Sequence, residues 1–122
     1  MAHTVNLKTV TDTRGHLTVV EKVLPFDIKR AYFVYGVGDD SRGGHCHRSC
    51  VEALVCVKGS CEVYINDGEK ESSFDLNSPS VCLVLQPRDW REMFNFTKDA
   101  VLLVFSSEYY NKKDYIDEKY SN

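Results

Sequence analysis

The chain has 122 residues and a formal net charge of −3; 43% of its residues are hydrophobic and 27% are charged. This length and composition suit one domain with a core of its own, so we expect a single domain over residues 1–122. The slightly acidic balance argues against a nucleic-acid partner. No apolar stretch approaches the roughly 20 residues that span a bilayer, so we expect no membrane partner.

The five cysteines are an odd number, and they lie on predicted strands rather than in a loop framework. Free and mostly buried thiols in a reducing compartment explain this distribution better than a set of disulfides. The N-terminus has no charged segment followed by an apolar run of the kind that directs secretion. We therefore expect a cytoplasmic protein.

Short runs rich in β-branched and aromatic residues, separated by turn signals at intervals of roughly ten residues, predict an all-β fold of the sandwich or barrel type. The run over residues 81–85 is continuously apolar, as in a strand buried on both faces. A mixture of Lys, Asp, Glu and Tyr over residues 109–122 predicts a short C-terminal helix. The predicted strands are residues 5–10, 17–23, 28–37, 51–57, 61–65, 72–76, 81–85, 90–96 and 101–105.

Two histidines, His45 and His47, stand two residues apart just after a glycine-rich loop. Because residues i and i+2 of a strand point to the same face, both imidazoles should enter one cavity while Cys46 points away from it. The spacing from these histidines to Glu52 and then to Gly59 resembles the first motif of the cupins. That resemblance implies a small jelly-roll barrel, which can enclose one small ligand.

The second cupin motif would fall at residues 87–95, and Arg91 stands where a third metal-binding histidine is usual. Arginine stays protonated in proteins and cannot ligate a metal, so we expect neither a metal nor another cofactor. One alternative is a facial triad of His45, His47 and Glu52 for ferrous iron. A zinc site that includes Cys46 is less favoured, because Cys46 has the opposite strand parity.

Several further motifs follow one another along nearly the whole chain. They are Ile28-Lys-Arg30-x-Tyr32, Arg42-Gly-x-His45-x-His47, Val55-Cys-Val-x-Gly59-Ser, Trp90-x-Glu92-Met93 and Tyr110-x-x-x-Asp114-Tyr115-Ile116. In this order they resemble the sugar-nucleotide 3,4-ketoisomerases, which act on dTDP-4-keto-6-deoxyglucose on the way to 3-amino-3,6-dideoxy sugars. The resemblance implies a metal-free homodimer that binds a dTDP-linked keto sugar. It also implies that His45 and His47 carry the proton transfers.

The residue types suit this reaction. Moving a ketone from C4 to C3 needs a base at C3 and an acid at C4, and histidine serves as either near neutral pH. Arg42 is near the histidines in sequence and is a candidate to stabilise the enediolate. Tyr32 and Tyr35 are candidates to bind the sugar, and Tyr32 is favoured because it shares the strand parity of the cationic residue two positions before it.

The diphosphate of such a substrate requires positive charge, and Arg14, Arg30, Arg42 and Arg91 are the candidates. Arg91 is equally compatible with a structural ion pair. Family members vary at the positions of Arg14 and Arg91, which border the sugar, so the configuration of the product at C4 stays open.

Two other functions remain possible from the sequence. A sugar-nucleotide 3,5-epimerase has the same fold, but it relies on a His–Asp pair and a catalytic tyrosine in a longer chain, and that arrangement is not evident here. A cupin without catalytic activity that only binds a nucleotide sugar is the other.

Overall fold

A computed structural model describes all 122 residues. Regular structure consists of β-strands and a single 3-10 turn, so the all-β prediction is confirmed. No helix has the length and apolar character needed to cross a membrane. The strands are β1 (His3–Asn6), β2 (Lys8–Asp12), β3 (Gly15–Val19), β4 (Arg30–Tyr35), β5 (Arg42–His47), β6 (Glu52–Lys58), β7 (Cys61–Asn66), β8 (Glu71–Leu76), β9 (Val81–Leu85), β10 (Trp90–Phe94), β11 (Val101–Ser106) and β12 (Tyr115–Ile116).

The strands form two five-stranded antiparallel sheets and one separate hairpin. Sheet I has the order β1-β9-β6-β11-β4, and sheet II has the order β12-β5-β10-β7-β8. The hairpin of β2 and β3 has no third strand. Side chains from both sheets meet in one cluster of 14 buried residues, among them Leu54 and Leu102 from sheet I and Val63 and Leu76 from sheet II. Two sheets that share one core form the sandwich that a jelly roll requires.

Strand β9 lies inside sheet I, between β1 and β6, and this position explains its continuous apolar run. Leu83 and Leu85 contribute to the core between the sheets, while Cys82 and Val84 belong to a second apolar cluster. That second cluster is covered by the segment after β3, including Leu24 and Phe26. The prediction of a strand buried on both faces is therefore confirmed.

The largest differences between the predicted elements and the structure lie near the two ends of the chain. The strand predicted at residues 5–10 is divided at Leu7, which is buried and donates its backbone N–H to Ser80 O. The chain leaves sheet I there, because β1 pairs with β9 whereas β2 pairs only with β3. The predicted C-terminal helix is confined to a 3-10 turn at Lys112–Asp114, and the chain then becomes extended to pair as β12 with β5.

Candidate active site

A cavity of about 570 Å³ opens where β4 of sheet I faces β5, β10 and β12 of sheet II. Four of the predicted site residues line it together, namely Arg30, Tyr32, Arg42 and His45. These four residues come from only two strands, β4 and β5, so part of this grouping was predictable from the sequence. The remaining lining residues are Ala31, Val34, Ser41, Gly43, Met93 and Tyr115.

Gly43 allows β5 to approach β10 closely beside the cavity. Its φ angle is +85°, and a Cβ atom there would lie 2.8 Å from the backbone oxygen of Arg91. A larger residue would have to force the strands apart and would also be strained at this φ. The close approach sets the register in which His45 is paired with Arg91.

His45 is partly exposed to the cavity. Burial, followed by the charge of Arg91, lowers the pKa of His45 to about 4. The imidazole is therefore neutral near pH 7, which leaves one ring nitrogen free to accept a proton. Of the titratable groups that line the cavity, His45 is the one best suited to act as a base on a bound ligand.

His47 shares the strand face of His45 but lies deeper in the protein. The two ring centroids are 5.0 Å apart, yet His47 is only 1% exposed and does not line the cavity. The ring of Tyr115, from β12, lies 4.5 Å from the His47 ring and itself lines the cavity. The expectation that both imidazoles enter the cavity is thus fulfilled for His45 alone, because the C-terminal strand covers the end of β5.

His47 stands between two carboxylates. Its Nδ1 atom is 3.0 Å from Oδ2 of Asp114, which lies 67 residues later in the sequence. Its Nε2 atom is 3.6 Å from Oε1 of Glu52, is buried and has no hydrogen-bond partner. The contact with Asp114 therefore holds the ring at Nδ1, whereas Nε2 faces the Glu52 carboxylate without a hydrogen bond.

Glu52 is the centre of a buried polar network. Arg91 Nη1 donates to Oε1 at 2.8 Å, and Ser106 Oγ and Tyr32 Oη donate to Oε2 at 2.8 and 3.1 Å. Burial raises the pKa of Glu52, but His47, when its Nε2 carries a hydrogen, and the Arg91 charge outweigh it and lower the pKa to about 2. Glu52 is therefore ionised, and Tyr32 connects it to the cavity.

Arg91 does not contact the cavity, contrary to its prediction as a substrate-binding residue. Its side chain is 1% exposed, and besides Glu52 it donates from Nε and Nη2 to the backbone oxygen of Asp89. Of the two alternatives that the sequence left open, the structure has the ion pair. Arg91 reaches the cavity only through its charge, which acts on His45.

Arg14 and Tyr35 are also outside the cavity in the single chain. Arg14 lies in the turn of the β2–β3 hairpin, where its side chain is 88% exposed and pairs with Asp12 at 2.7 Å. Tyr35 is on β4 but has the parity opposite to Tyr32, so it faces outward and stacks on Phe33 at 5.8 Å. It borders a separate depression next to Arg42.

The residues do not form the metal site that the iron alternative needs. His47, Cys50 and Asp114 have ligand atoms within 4.8 Å of one another, whereas His45, His47 and Glu52 do not form such a group. Asp114 already accepts hydrogen bonds from His47 and from the backbone N–H groups of Ser49 and Cys50. Burial raises the pKa of the Cys50 thiol, which disfavours the thiolate that a metal requires.

Sequence reasoning named the motif that contains Asp114 and Tyr115 but assigned no site role to either residue. Their contacts with β5 span more than 60 residues, so no local pattern indicates them. His47 and Asp114 form a His–Asp pair that was not evident from the sequence. A His–Asp pair alone therefore does not distinguish an epimerase from a ketoisomerase.

Comparison with known proteins distinguishes a ketoisomerase from an epimerase. A family model described as "FdtA: WxcM-like, C-terminal" matches residues 1–122. The TDP-4-oxo-6-deoxy-alpha-D-glucose-3,4-oxoisomerase of Aneurinibacillus thermoaerophilus is 40% identical over 121 residues, which cover 97% of this chain and 86% of that protein.

Solved structures agree with this match. QdtA, a sugar 3,4-ketoisomerase from Thermoanaerobacterium thermosaccharolyticum in complex with TDP, is 42% identical with a TM-score of 0.93, covering 96% of this chain and 88% of that one. The WlaRB TDP-quinovose 3,4-ketoisomerase from Campylobacter jejuni is 36% identical with a TM-score of 0.92, covering 96% and 92%. Two sugar epimerases share only 16% and 14% identity, a likeness that shows the fold alone. The jelly-roll fold and the predicted family are confirmed, and the chain belongs to the FdtA family of sugar 3,4-ketoisomerases.

Proposed function

We propose that this protein isomerises TDP-4-keto-6-deoxyglucose to the corresponding 3-keto sugar. The observation that carries the proposal is His45, a neutral imidazole that faces a cavity lined by Arg30, Arg42 and Tyr32 in a chain of this family. An uncharged base beside two arginines suits proton abstraction next to a ketone, since the cations stabilise the negative charge that develops on oxygen.

The reaction moves two protons and no other atoms. The proton on C3 and the proton of the O3 hydroxyl leave, a carbonyl forms at C3, and one proton is added to C4 and one to O4. His45 takes the C3 proton to give an enediolate, and the resulting imidazolium returns a proton to C4. Arg30 from sheet I and Arg42 from sheet II both line the cavity, where they stabilise the enediolate or bind the diphosphate.

The hydroxyl proton has a separate route in this proposal. Tyr32 Oη donates to Glu52, so its oxygen is free to accept the proton of a sugar hydroxyl. Burial, followed by the negative charge of Glu52, raises the pKa of Tyr32, which keeps its hydroxyl protonated between turnovers. Glu52 in turn lies 3.6 Å from Nε2 of His47. His47 thus serves as the proton shuttle through Tyr32 and Glu52, without touching the sugar.

The decisive experiment is incubation with TDP-4-keto-6-deoxyglucose in deuterated water, followed by NMR. A 3,4-ketoisomerase gives the 3-keto product with deuterium at C4, and any 4-keto substrate that is re-formed from the enediol carries deuterium at C3. An epimerase exchanges the protons at C3 and C5 instead, and a protein that only binds the nucleotide sugar exchanges neither. Binding of TDP without any exchange would overturn the proposed activity in favour of the last of these.

We also propose a homodimer that forms through the outer face of sheet I. Phe33, Tyr35 and Val57 are 62%, 67% and 40% exposed on this face, next to a covered apolar cluster. The β2–β3 hairpin has no third strand, and an isolated two-stranded ribbon is marginally stable in water. A second copy of the chain supplies a surface against which the exposed apolar side chains and the hairpin can pack. A substrate-binding role for Arg14, at the tip of that hairpin, requires such an assembly.

The whole chain acts as one domain in this proposal, because the two sheets share their core. A cytoplasmic location is supported by the five cysteines, all of which are free and buried. Activity without a metal is supported by the engagement of Glu52 with Arg91 and of Asp114 with His47.

A further inference from the structure

We infer that Asp114 is a positioning residue that holds the proton of His47 on Nδ1 and so keeps Nε2 as the exchangeable site. This inference rests on the proposed ketoisomerase activity, because it concerns the proton shuttle of that reaction. Asp114 touches neither the cavity nor a ligand, and it acts entirely through His47.

Asp114 is itself held in place by four contacts. Its Oδ1 atom accepts from the Ser49 backbone N–H at 2.8 Å, and its Oδ2 atom accepts from the Cys50 N–H at 3.2 Å. Its backbone oxygen accepts from the Arg48 N–H at 2.8 Å, and its backbone N–H donates to Asn111 O at 3.0 Å. The carboxylate therefore meets β5 and the loop after it in a single defined position.

This position determines which nitrogen of His47 carries a hydrogen. Oδ2 of Asp114 is an acceptor only, so the His47 nitrogen 3.0 Å away must donate to it. The other nitrogen, Nε2, then has a lone pair, and it is the buried atom without a hydrogen-bond partner. It faces Oε1 of Glu52 at 3.6 Å, the end of the network that begins at Tyr32.

The arrangement makes His47 ready to receive one proton from the side of the cavity. A proton that arrives at Nε2 lies between the ring and the ionised Glu52, while Asp114 stabilises the opposite edge of the imidazolium. With the reverse tautomer, Nε2 would already hold a hydrogen and could accept nothing from Glu52. Asp114 thus determines whether Nε2 of His47 can accept a proton from Glu52.

The test is Asp114→Asn in 15N-labelled protein, with long-range 1H–15N correlation spectra of the His47 ring at neutral pH. Asparagine has one acceptor oxygen where aspartate has two. When the NH₂ group of the amide faces Nδ1, it donates to that atom, and the ring hydrogen moves to Nε2. We expect the Nδ1 hydrogen in the parent protein and its loss in the variant. Turnover should fall on the order of 10²-fold, with KM changed less than about threefold.

Asn111→Ala is the matched control, because Asn111 caps the same 3-10 turn by accepting from the Lys113 N–H but does not contact His47. It should leave both the ring hydrogen and turnover unchanged. Asp114→Glu is the second variant, to be used if Asp114→Asn fails to fold. It keeps the carboxylate and should therefore retain the Nδ1 hydrogen. In a His47→Asn background, Asp114→Asn should cause no further loss of turnover.

The inference is overturned if Asp114→Asn keeps the Nδ1 hydrogen, or loses it with turnover unchanged. It is also overturned if Asn111→Ala reduces turnover equally, since the effect would then belong to the whole segment. Failure of the proposed function is a separate result: the parent protein would not turn over TDP-4-keto-6-deoxyglucose, while the NMR comparison would still report how Asp114 acts on His47.

Discussion

Nη1 of Arg91 lies 2.8 Å from Oε1 of Glu52, and both side chains are almost completely buried. A buried carboxylate requires a compensating partner, and the arginine provides it. The pair has two effects on the site. It helps to keep Glu52 ionised at the end of the Tyr32 network, and its cation adds to the effect of burial in lowering the pKa of His45, so that this ring is neutral near pH 7.

Replacement of Glu52 by Gln should destabilise the protein strongly. The change leaves Arg91 buried without a counter-charge, and removal of one partner of a buried pair costs about 3–5 kcal/mol of unfolding free energy. Urea denaturation measures the loss. Glu69→Gln, on the exposed loop between β7 and β8, is the control and should change stability by less than about 0.5 kcal/mol. Equal effects of the two substitutions would contradict the importance of the pair.

Two cavity residues should affect proton transfer differently. His45→Asn removes the proposed C3 base and should lower turnover by about 10²–10⁴-fold, together with deuterium exchange at C3. Tyr32→Phe interrupts only the hydroxyl route, so turnover should fall while exchange at C3 persists. His3→Asn, on the exposed strand β1, is the control. Near-normal turnover in His45→Asn would assign the base to another residue.

Acid should weaken the fold in a window set by His45. Its folded pKa of about 4 lies below the ordinary value of 6.5, so the unfolded chain binds the proton more readily between these pH values. The free energy of unfolding therefore falls as pH decreases from about 6.5 towards 4. Thermal or urea unfolding of His45→Asn should lack this component, and an unchanged slope between the two proteins would contradict the lowered pKa.

Below that window, Glu52 adds a second acid-sensitive component. Its folded pKa of about 2 lies under the ordinary 4.5, so its contribution is present above 4.5 and is lost as pH falls through 2. This loss should be missing in Glu52→Gln, because glutamine does not titrate.

Removal of metals should leave activity intact. Glu52 is engaged by Arg91, Ser106 and Tyr32, so a cation near it would have to displace hydrogen bonds and approach a positive charge. The measurement is turnover after dialysis against EDTA, with metal content determined on the same sample. Loss of activity that ferrous iron or zinc restores would overturn the metal-free proposal.

Phe33→Asp should dissociate the proposed dimer. Its side chain is exposed on the outer face of sheet I, and a buried charge at a subunit interface without a partner is costly. Light scattering over a range of concentrations should give a dimer for the parent protein and a monomer for the variant. Glu69→Gln again serves as the control, and a parent protein that is monomeric at every concentration would contradict the proposal.

The sequence determined the features that depend on local order. Strand alternation places His45 and His47 on one face, and the parity of β4 turns Tyr32 inward and Tyr35 outward. The apolar run of β9 indicates burial on both faces. The five motifs taken in order indicate the family, because their order and spacing are properties of the chain itself.

Only the tertiary structure decided how deep each of these side chains lies. His47 is covered because β12 returns over the end of β5, and Asp114 meets it across 67 residues of sequence. Arg91 is buried because the strand that carries it lies between β5 and β7, where Glu52 from the opposite sheet reaches it. The physical reason is common to both cases: periodicity fixes the direction of a side chain, but depth and partner depend on which distant strands the fold places against it.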